Sequence, residues 1–206
     1  MFFDRYKWLK EIGEWIIAFI IAYLIYVTIN FFLGTVSGVK QISMYPTAKE
    51  GEKVIIQRPT LFKKELERGM IITFDAPLDI AEKTPDNIAI FPKYEGIKKF
   101  AYDFLWINKK SYIKRIIGLP GDRVQVAEDG TVILNGNPYE EPYLNPDKRS
   151  LPGKYMDVVV PDGCVFAMGD NRGYSGDSRE FGCIPEEKIN GYVISRIWPL
   201  NKMGKI

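Results

Sequence analysis

The 206-residue sequence contains no histidine. That absence removes the Ser-His-Asp and Cys-His constellations, and His-rich zinc sites fall with them. A serine nucleophile here must take its base from elsewhere, and lysine is the leading candidate. Cysteine is scarce: Cys164 and Cys183 are too few for a disulfide scaffold. Each neighbours apolar residues and suits a small core side chain. A bridge between neighbouring strands is the other reading, if the domain lies outside the cytoplasm. No dense block of one charge sign occurs, with 28 Lys and Arg against 26 Asp and Glu. The chain therefore offers no electrostatic footprint for nucleic acid, and no such partner is expected. No metal site and no cofactor are expected, and no internal repeat or low-complexity tract is present.

What the sequence does have is one long apolar run. Trp15 to Leu33 carries no charge, with Thr28 and Asn30 as its strongly polar members. At helical rise this stretch spans roughly 28 Å, close to the hydrocarbon thickness of a bilayer. Trp15 at one end and Tyr26, Phe31 and Phe32 toward the other suit interfacial anchoring. A removable signal peptide is the rival reading. Its apolar core is usually about 7–15 residues, and Gly34-Thr35-Val36-Ser37 makes a weak cleavage site. The run is read as a retained single anchor. Arg5, Lys7 and Lys10 precede it, while Lys40 stands alone in the ten residues after it. This bias places residues 1–14 in the cytoplasm and residues 34–206 outside it.

Beyond Gly34 the chain is strand-like in short pieces. Val54–Ile56, Met70–Phe74, Tyr112–Ile117, Val124–Val126, Val132–Leu134, Val158–Val160, Val165–Met168 and Tyr192–Trp198 favour β structure. Leu119-Pro120-Gly121-Asp122, Asp129-Gly130, Asn135-Gly136-Asn137 and Pro161-Asp162-Gly163 mark the turns. The expected fold is mostly β, an antiparallel sheet or partly open barrel behind one transmembrane helix. Residues 76–111 read as an insertion or long connection. Within it, Lys93–Asn108 mixes charged and aromatic residues as a short amphipathic helix would, packed on the sheet or bordering lipid or a cleft.

Two residues carry the candidate chemistry. Ser43 lies ten residues beyond the anchor, in Ser43-Met44-Tyr45-Pro46-Thr47. Pro46 fixes its own φ and biases Tyr45 away from helix, so the serine rides on a stiff backbone. Lys114 lies in Tyr112–Ile117 and, in a strand, shares a face with Tyr112 and Ile116. Loss of solvation on such a face disfavours the ammonium and produces a competent base. Snorkelling of Lys114 to water at a sheet edge is the alternative. Ser111-Tyr112-Ile113-Lys114 formally matches a Ser-x-x-Lys motif, but that chemistry needs one helical face. In a strand, residues three apart point to opposite sides, so the match is rejected.

These segments together resemble the bacterial type I signal peptidases, membrane-bound endopeptidases with a Ser/Lys dyad. Four blocks match in order: Ser43–Thr47, Arg68–Phe74, Tyr112–Asp122 and Gly169–Arg179. The third and fourth are the specific ones. The single anchor, the small size and Arg196-Ile197-Trp198-Pro199 are similar to the Gram-positive kind. The resemblance implies Ser43 as nucleophile and Lys114 as general base, with Ser175 hydrogen-bonding the lysine. It implies a buried Asp177–Arg179 pair holding the loop and Asp170 as a further structural carboxylate. Met44 would line the substrate pocket and Pro46 would shape the turn.

Departures from the family pattern are equally visible. Gln41 stands two residues before the nucleophile, where Gly or Ser is usual and where the oxyanion hole is completed. Ala48 stands for Leu, and Glu52 and Met70 each stand for Asp. The implied substrates are secretory preproteins with small residues at the first and third positions before the cut. The implied partners are the lipid bilayer and the neighbourhood of the export machinery. A catalytically inactive, membrane-tethered binder of exported chains is the alternative reading, with Gln41 as its best support. A self-cleaving Ser/Lys repressor is set aside, because residues 1–33 do not resemble a DNA-binding head.

Overall fold

The computed structural model describes residues 6–60, 63–79, 82–98, 102, 110–144 and 152–206. Helix α1 (Lys7–Phe32) is 26 residues long, with a mean hydropathy of 2.2 over its most apolar window and none of that window buried. At helical rise it measures roughly 39 Å, long enough to cross a bilayer. It begins eight residues before the expected anchor because Lys7–Glu14, although charged, are good helix formers; Lys10 and Glu14 pair across one turn at 3.9 Å.

Beyond the helix, the named strands among the described residues pair antiparallel in two sheets. The strands are β1 (Gly34–Gly38), β2 (Lys53–Gln57), β3 (Ile71–Asp75), β4 (Ser111–Gly118), β5 (Arg123–Val126), β6 (Val132–Leu134), β7 (Asn137–Pro138), β8 (Asp157–Val159), β9 (Cys164–Met168), β10 (Ile184–Pro185) and β11 (Ile189–Trp198). One sheet runs β1-β2-β11-β3-β4-β9-β10 and the other β7-β6-β5-β8. The sheets do not close into a barrel. A one-turn helix, α2 (Ser178–Phe181), caps the loop after β9.

Packing on β4 sets the site. Ile116 belongs to the core cluster with Ile72, Phe74, Ala167 and Ile184, while Ile117 faces a second cluster with Val124, Tyr155 and Phe166. Covered on both faces, β4 carries Lys114 inward instead of letting it reach water. The connection from β3 to β4 closes through Ala76 N–H to the Lys110 carbonyl at 2.9 Å. Within its described residues, Ala89 and Phe91 are buried on the domain and Ala89 N–H bonds to the Cys183 carbonyl at 2.8 Å. The expected helix at 93–108 lies mostly outside the described residues, although 96–98 are helical. Cys164 and Cys183 are free, buried thiols in one cluster. Burial, then the neighbouring Cys164, pushes the Cys183 thiol up to about 12. Both are core residues here and form no bridge.

Candidate active site

The short 3-10 turn Ile42–Met44 carries Ser43 and leaves in extended backbone at Tyr45 (φ −66°, ψ 137°). Its position is fixed by the loop after β9. Asn171 N–H donates to the Ser43 carbonyl at 2.9 Å, and Asn171 Nδ2 donates to the Ile42 carbonyl at 3.0 Å. Met44, expected to line the pocket, is instead wholly buried among Val39, Ala48, Val54, Ile56, Ile71 and Val193. A long apolar side chain beside an exposed Ile42 gains most by turning inward, so Met44 supports the turn from below. Pro46 follows a cis peptide bond.

Lys114 Nζ donates to Ser43 Oγ at 2.9 Å across 71 residues of sequence. Lys114 is 1% exposed and Ser43 4%. Burial lowers the lysine from 10.5 to about 8, against the opposing pull of Asp177. The Tyr112 ring centre lies 5.3 Å from the amine. Ser43 and Lys114 open into a cleft of about 470 Å³ that Gln41, Glu50 and Tyr174 also line. A second cleft, of about 570 Å³, shares Lys40, Gln41 and Tyr112 with the first and is walled by Val39, Val54 and Ile113.

The Gly169–Arg179 loop closes behind the pair. Asp177 accepts from Gly169 N–H at 3.0 Å and from Arg179 Nε and Nη2, each at 2.8 Å. Burial alone would raise the Asp177 carboxyl; the Arg179 bonds outweigh it and hold the group below the usual range. Asp170 receives Arg115 Nε at 2.9 Å, Arg115 Nη2 at 2.7 Å and Thr47 Oγ1 at 2.5 Å. Thus a carboxylate in one conspicuous loop ties β4 to the turn that carries Ser43.

Residues 12–198 match the family model described as signal peptidase, peptidase S26. The chain belongs to the signal peptidase family. It is 33% identical to signal peptidase IB of Staphylococcus aureus over 94% of this chain and 93% of that one. A probable signal peptidase I-1 of Synechocystis is 31% identical over 90% of this chain and 82% of its own length. A crystal structure of a signal peptidase I from Enterococcus faecalis shares 25% identity, covering 63% of this chain and 97% of that one, with a TM-score of 0.39.

Within this signal peptidase fold most of the expected residues converge. Ser43, Lys114 and Gln41 meet at one cleft, and Asp177–Arg179 is a buried pair. Ser175 departs from expectation: its hydroxyl is buried and has no hydrogen-bond partner among the described residues, so it does not hold the lysine amine here. Lys114 Nζ is bonded to Ser43 instead. Sequence reasoning missed the Arg115 fork to Asp170 and the buried Arg172–Glu141 pair, which Tyr143 joins by donating to Glu141 at 2.6 Å. Arg115 lies 4.1 Å from the Tyr143 ring centre. The signal for Arg115 was available, since it points opposite to Lys114 on a strand buried on both faces and must find a carboxylate there. Glu52, standing where Asp is usual, accepts from Arg196 Nη1 at 3.2 Å and remains an ion-pairing group.

Proposed function

We propose that this chain removes signal peptides from exported preproteins by acyl transfer through a Ser43/Lys114 dyad. The supporting observation is the 2.9 Å contact between the Lys114 amine and the Ser43 hydroxyl at the base of an open cleft, with burial lowering the amine to about 8. In the working state the amine is neutral and the hydrogen bond reverses: Ser43 Oγ–H points to Nζ. Lys114 takes that proton as Oγ attacks the scissile carbonyl. The resulting ammonium returns a proton to the departing amine of the mature protein. A water, deprotonated by the same lysine, then releases the signal peptide from Ser43.

The oxyanion formed in each attack needs donors, and one donor is worth about 2.7–4 kcal/mol. The backbone N–H of Ser43 and the Gln41 amide are the candidates, Gln41 lining both clefts. Substrate lies extended beside Gln41 and Tyr112, and the apolar wall of Val39, Val54 and Ile113 selects small residues before the cut. Pro46 shapes the turn, Met44 backs it, and Asp170, Asp177 and Arg179 hold the surrounding loop. Ser175 takes its orienting role only if its hydroxyl turns toward the lysine.

Helix α1 anchors the enzyme, with residues 1–14 cytoplasmic and residues 34–206 outside, near the export machinery. Tethering then replaces a three-dimensional search with a local one at the bilayer surface. The test is a gel-shift assay of a purified preprotein with the full chain. Wild type produces the shorter mature form and Ser43→Ala does not; cleavage of equal extent by both removes the dyad.

A further inference from the structure

The end of helix α1 is held by the catalytic domain in a way its membrane role does not require. A helix terminus leaves its last carbonyls without partners, and one near lipid cannot rely on water for all of them. Here three are met from the residues that follow β2. Arg58 Nε donates to the Asn30 carbonyl at 3.3 Å, Thr60 Oγ1 to the Phe31 carbonyl at 3.1 Å, and Arg58 N–H to the Leu33 carbonyl at 3.1 Å. The guanidinium also suits the negative end of the helix dipole. Arg58 is buried, and burial, partly offset by Asp75, lowers it to about 10 while leaving it charged at neutral pH.

The same side chain reaches deeper into the domain. Arg58 Nη1 donates to the Asn190 carbonyl on β11 at 2.8 Å, and Asn190 Nδ2 donates to Asp75 at the end of β3 at 2.6 Å. The helix end is thereby bonded to β2, β11 and β3, and β3 pairs with β4 so that Ile72 sits opposite Lys114. The exit from the helix is equally constrained. Gly34 has φ +155°, and a Cβ there would lie 2.3 Å from the Ile56 carbonyl oxygen. No flexible linker separates the anchor from the sheet.

From this geometry we infer that Arg58 and Thr60 are positioning residues that lock the anchor to the catalytic domain and set the height of Ser43 above the bilayer, so that the enzyme selects cleavage sites by their distance from the apolar core of the signal peptide. This rests on the signal-peptide-removing function proposed above. The spacing is then read by the elbow that Arg58 and Thr60 hold, and not by the cleft. A substrate whose scissile bond emerges too near the membrane, or too far from it, misses the nucleophile even when its sequence fits.

The test uses the full chain in liposomes and a series of membrane-inserted preproteins that differ in the number of residues between apolar core and cut. A short soluble peptide with the same cleavage sequence serves alongside. Wild type cleaves the peptide and prefers one spacing among the preproteins. If wild type cleaves nothing, the function proposed above fails, not the elbow alone. Arg58 also borders the second cleft, so Arg58→Met is read as a ratio of preprotein to peptide kcat/KM. That ratio falls roughly tenfold at the preferred spacing and the spacing preference broadens. Thr60→Val does not touch the cleft and gives a smaller broadening with peptide cleavage unchanged, which keeps the test open should Arg58→Met fail to fold. An unchanged spacing profile in both variants overturns the inference. So does a loss of peptide cleavage that equals the loss on preproteins.

Discussion

Ser43 and Lys114 face each other at 2.9 Å although one sits on a turn near the anchor and the other on a central strand. Bringing them together needs both the turn held by Asn171 and a strand covered on both faces. Ser43→Ala removes the proposed nucleophile and leaves the fold intact, since its backbone carbonyl, not its hydroxyl, anchors the turn. Lys114→Met keeps the volume and removes the proposed base, lowering the cleavage rate about 100- to 10,000-fold. Circular dichroism of both variants should match wild type while preprotein cleavage is lost.

The lysine gives two linked pH effects with one sign. With the amine at about 8, activity rises with pH from 6 to 9 and levels off above that range. A flat profile contradicts lysine as base. Stability follows the same group. The folded state releases its proton near 8 and the unfolded state near 10.5, so between these values the unfolded chain holds more protons and stability rises with pH. Below pH 8 the buried ammonium carries its full penalty, about 3 kcal/mol. Lys114→Met should therefore be more stable than wild type at pH 7, with the advantage shrinking toward pH 10.5. Urea unfolding at both pH values measures it.

The contrast between Met44 and Lys114 shows what the sequence could carry. Alternation placed Lys114 on a strand face with Tyr112 and Ile116 but left snorkelling to water open, and only the covered sheet shows the amine buried. The strands read from β-branched runs match β2 to β6, β8, β9 and β11 to within a few residues. The missed ones, β1, β7 and β10, contain Gly, Pro or Asn, whose pairing depends on a neighbouring strand and not on their own propensity. The inward packing of Met44 against Val39, Val54 and Ile56 was not legible, because a turn has no periodicity to reveal which way a side chain points. The Arg115–Asp170 fork joins residues 55 apart, and such partners become visible only once the sheet order is known.

Asp177 separates the electrostatics of the site from its scaffolding. Its charge favours the Lys114 ammonium, and Arg179 opposes it. Asp177→Asn removes the first influence and leaves the second, so the midpoint of the pH–rate profile moves to lower pH. The same change breaks a buried ion pair that also accepts Gly169 N–H, at a cost of about 3–5 kcal/mol. Rates measured well below the lowered Tm distinguish the two effects. A midpoint that stays in place, or moves upward, shows that Asp177 does not act on the amine.

Gly169 and Ser175 offer the sharpest geometric test. A Cβ on Gly169 would lie 2.2 Å from Ser175 Oγ and 2.5 Å from the Ser43 carbonyl oxygen. The second contact is with backbone, which cannot rotate away, so Gly169→Ala must displace the Ser43 turn or the loop. A displacement near 1 Å at a reacting group costs about 100-fold in rate, and Gly169→Ala should lose at least that much with a lowered Tm. Ser175→Ala behaves differently. Its hydroxyl is buried without a partner among the described residues, and relieving such a group costs nothing or stabilises by up to about 1–3 kcal/mol. If the hydroxyl turns to the lysine only when substrate binds, Ser175→Ala lowers kcat at unchanged or raised Tm. A Ser175→Ala variant that unfolds more readily than wild type would mean that the hydroxyl has a structural partner, and an unaltered kcat would remove it from the reaction.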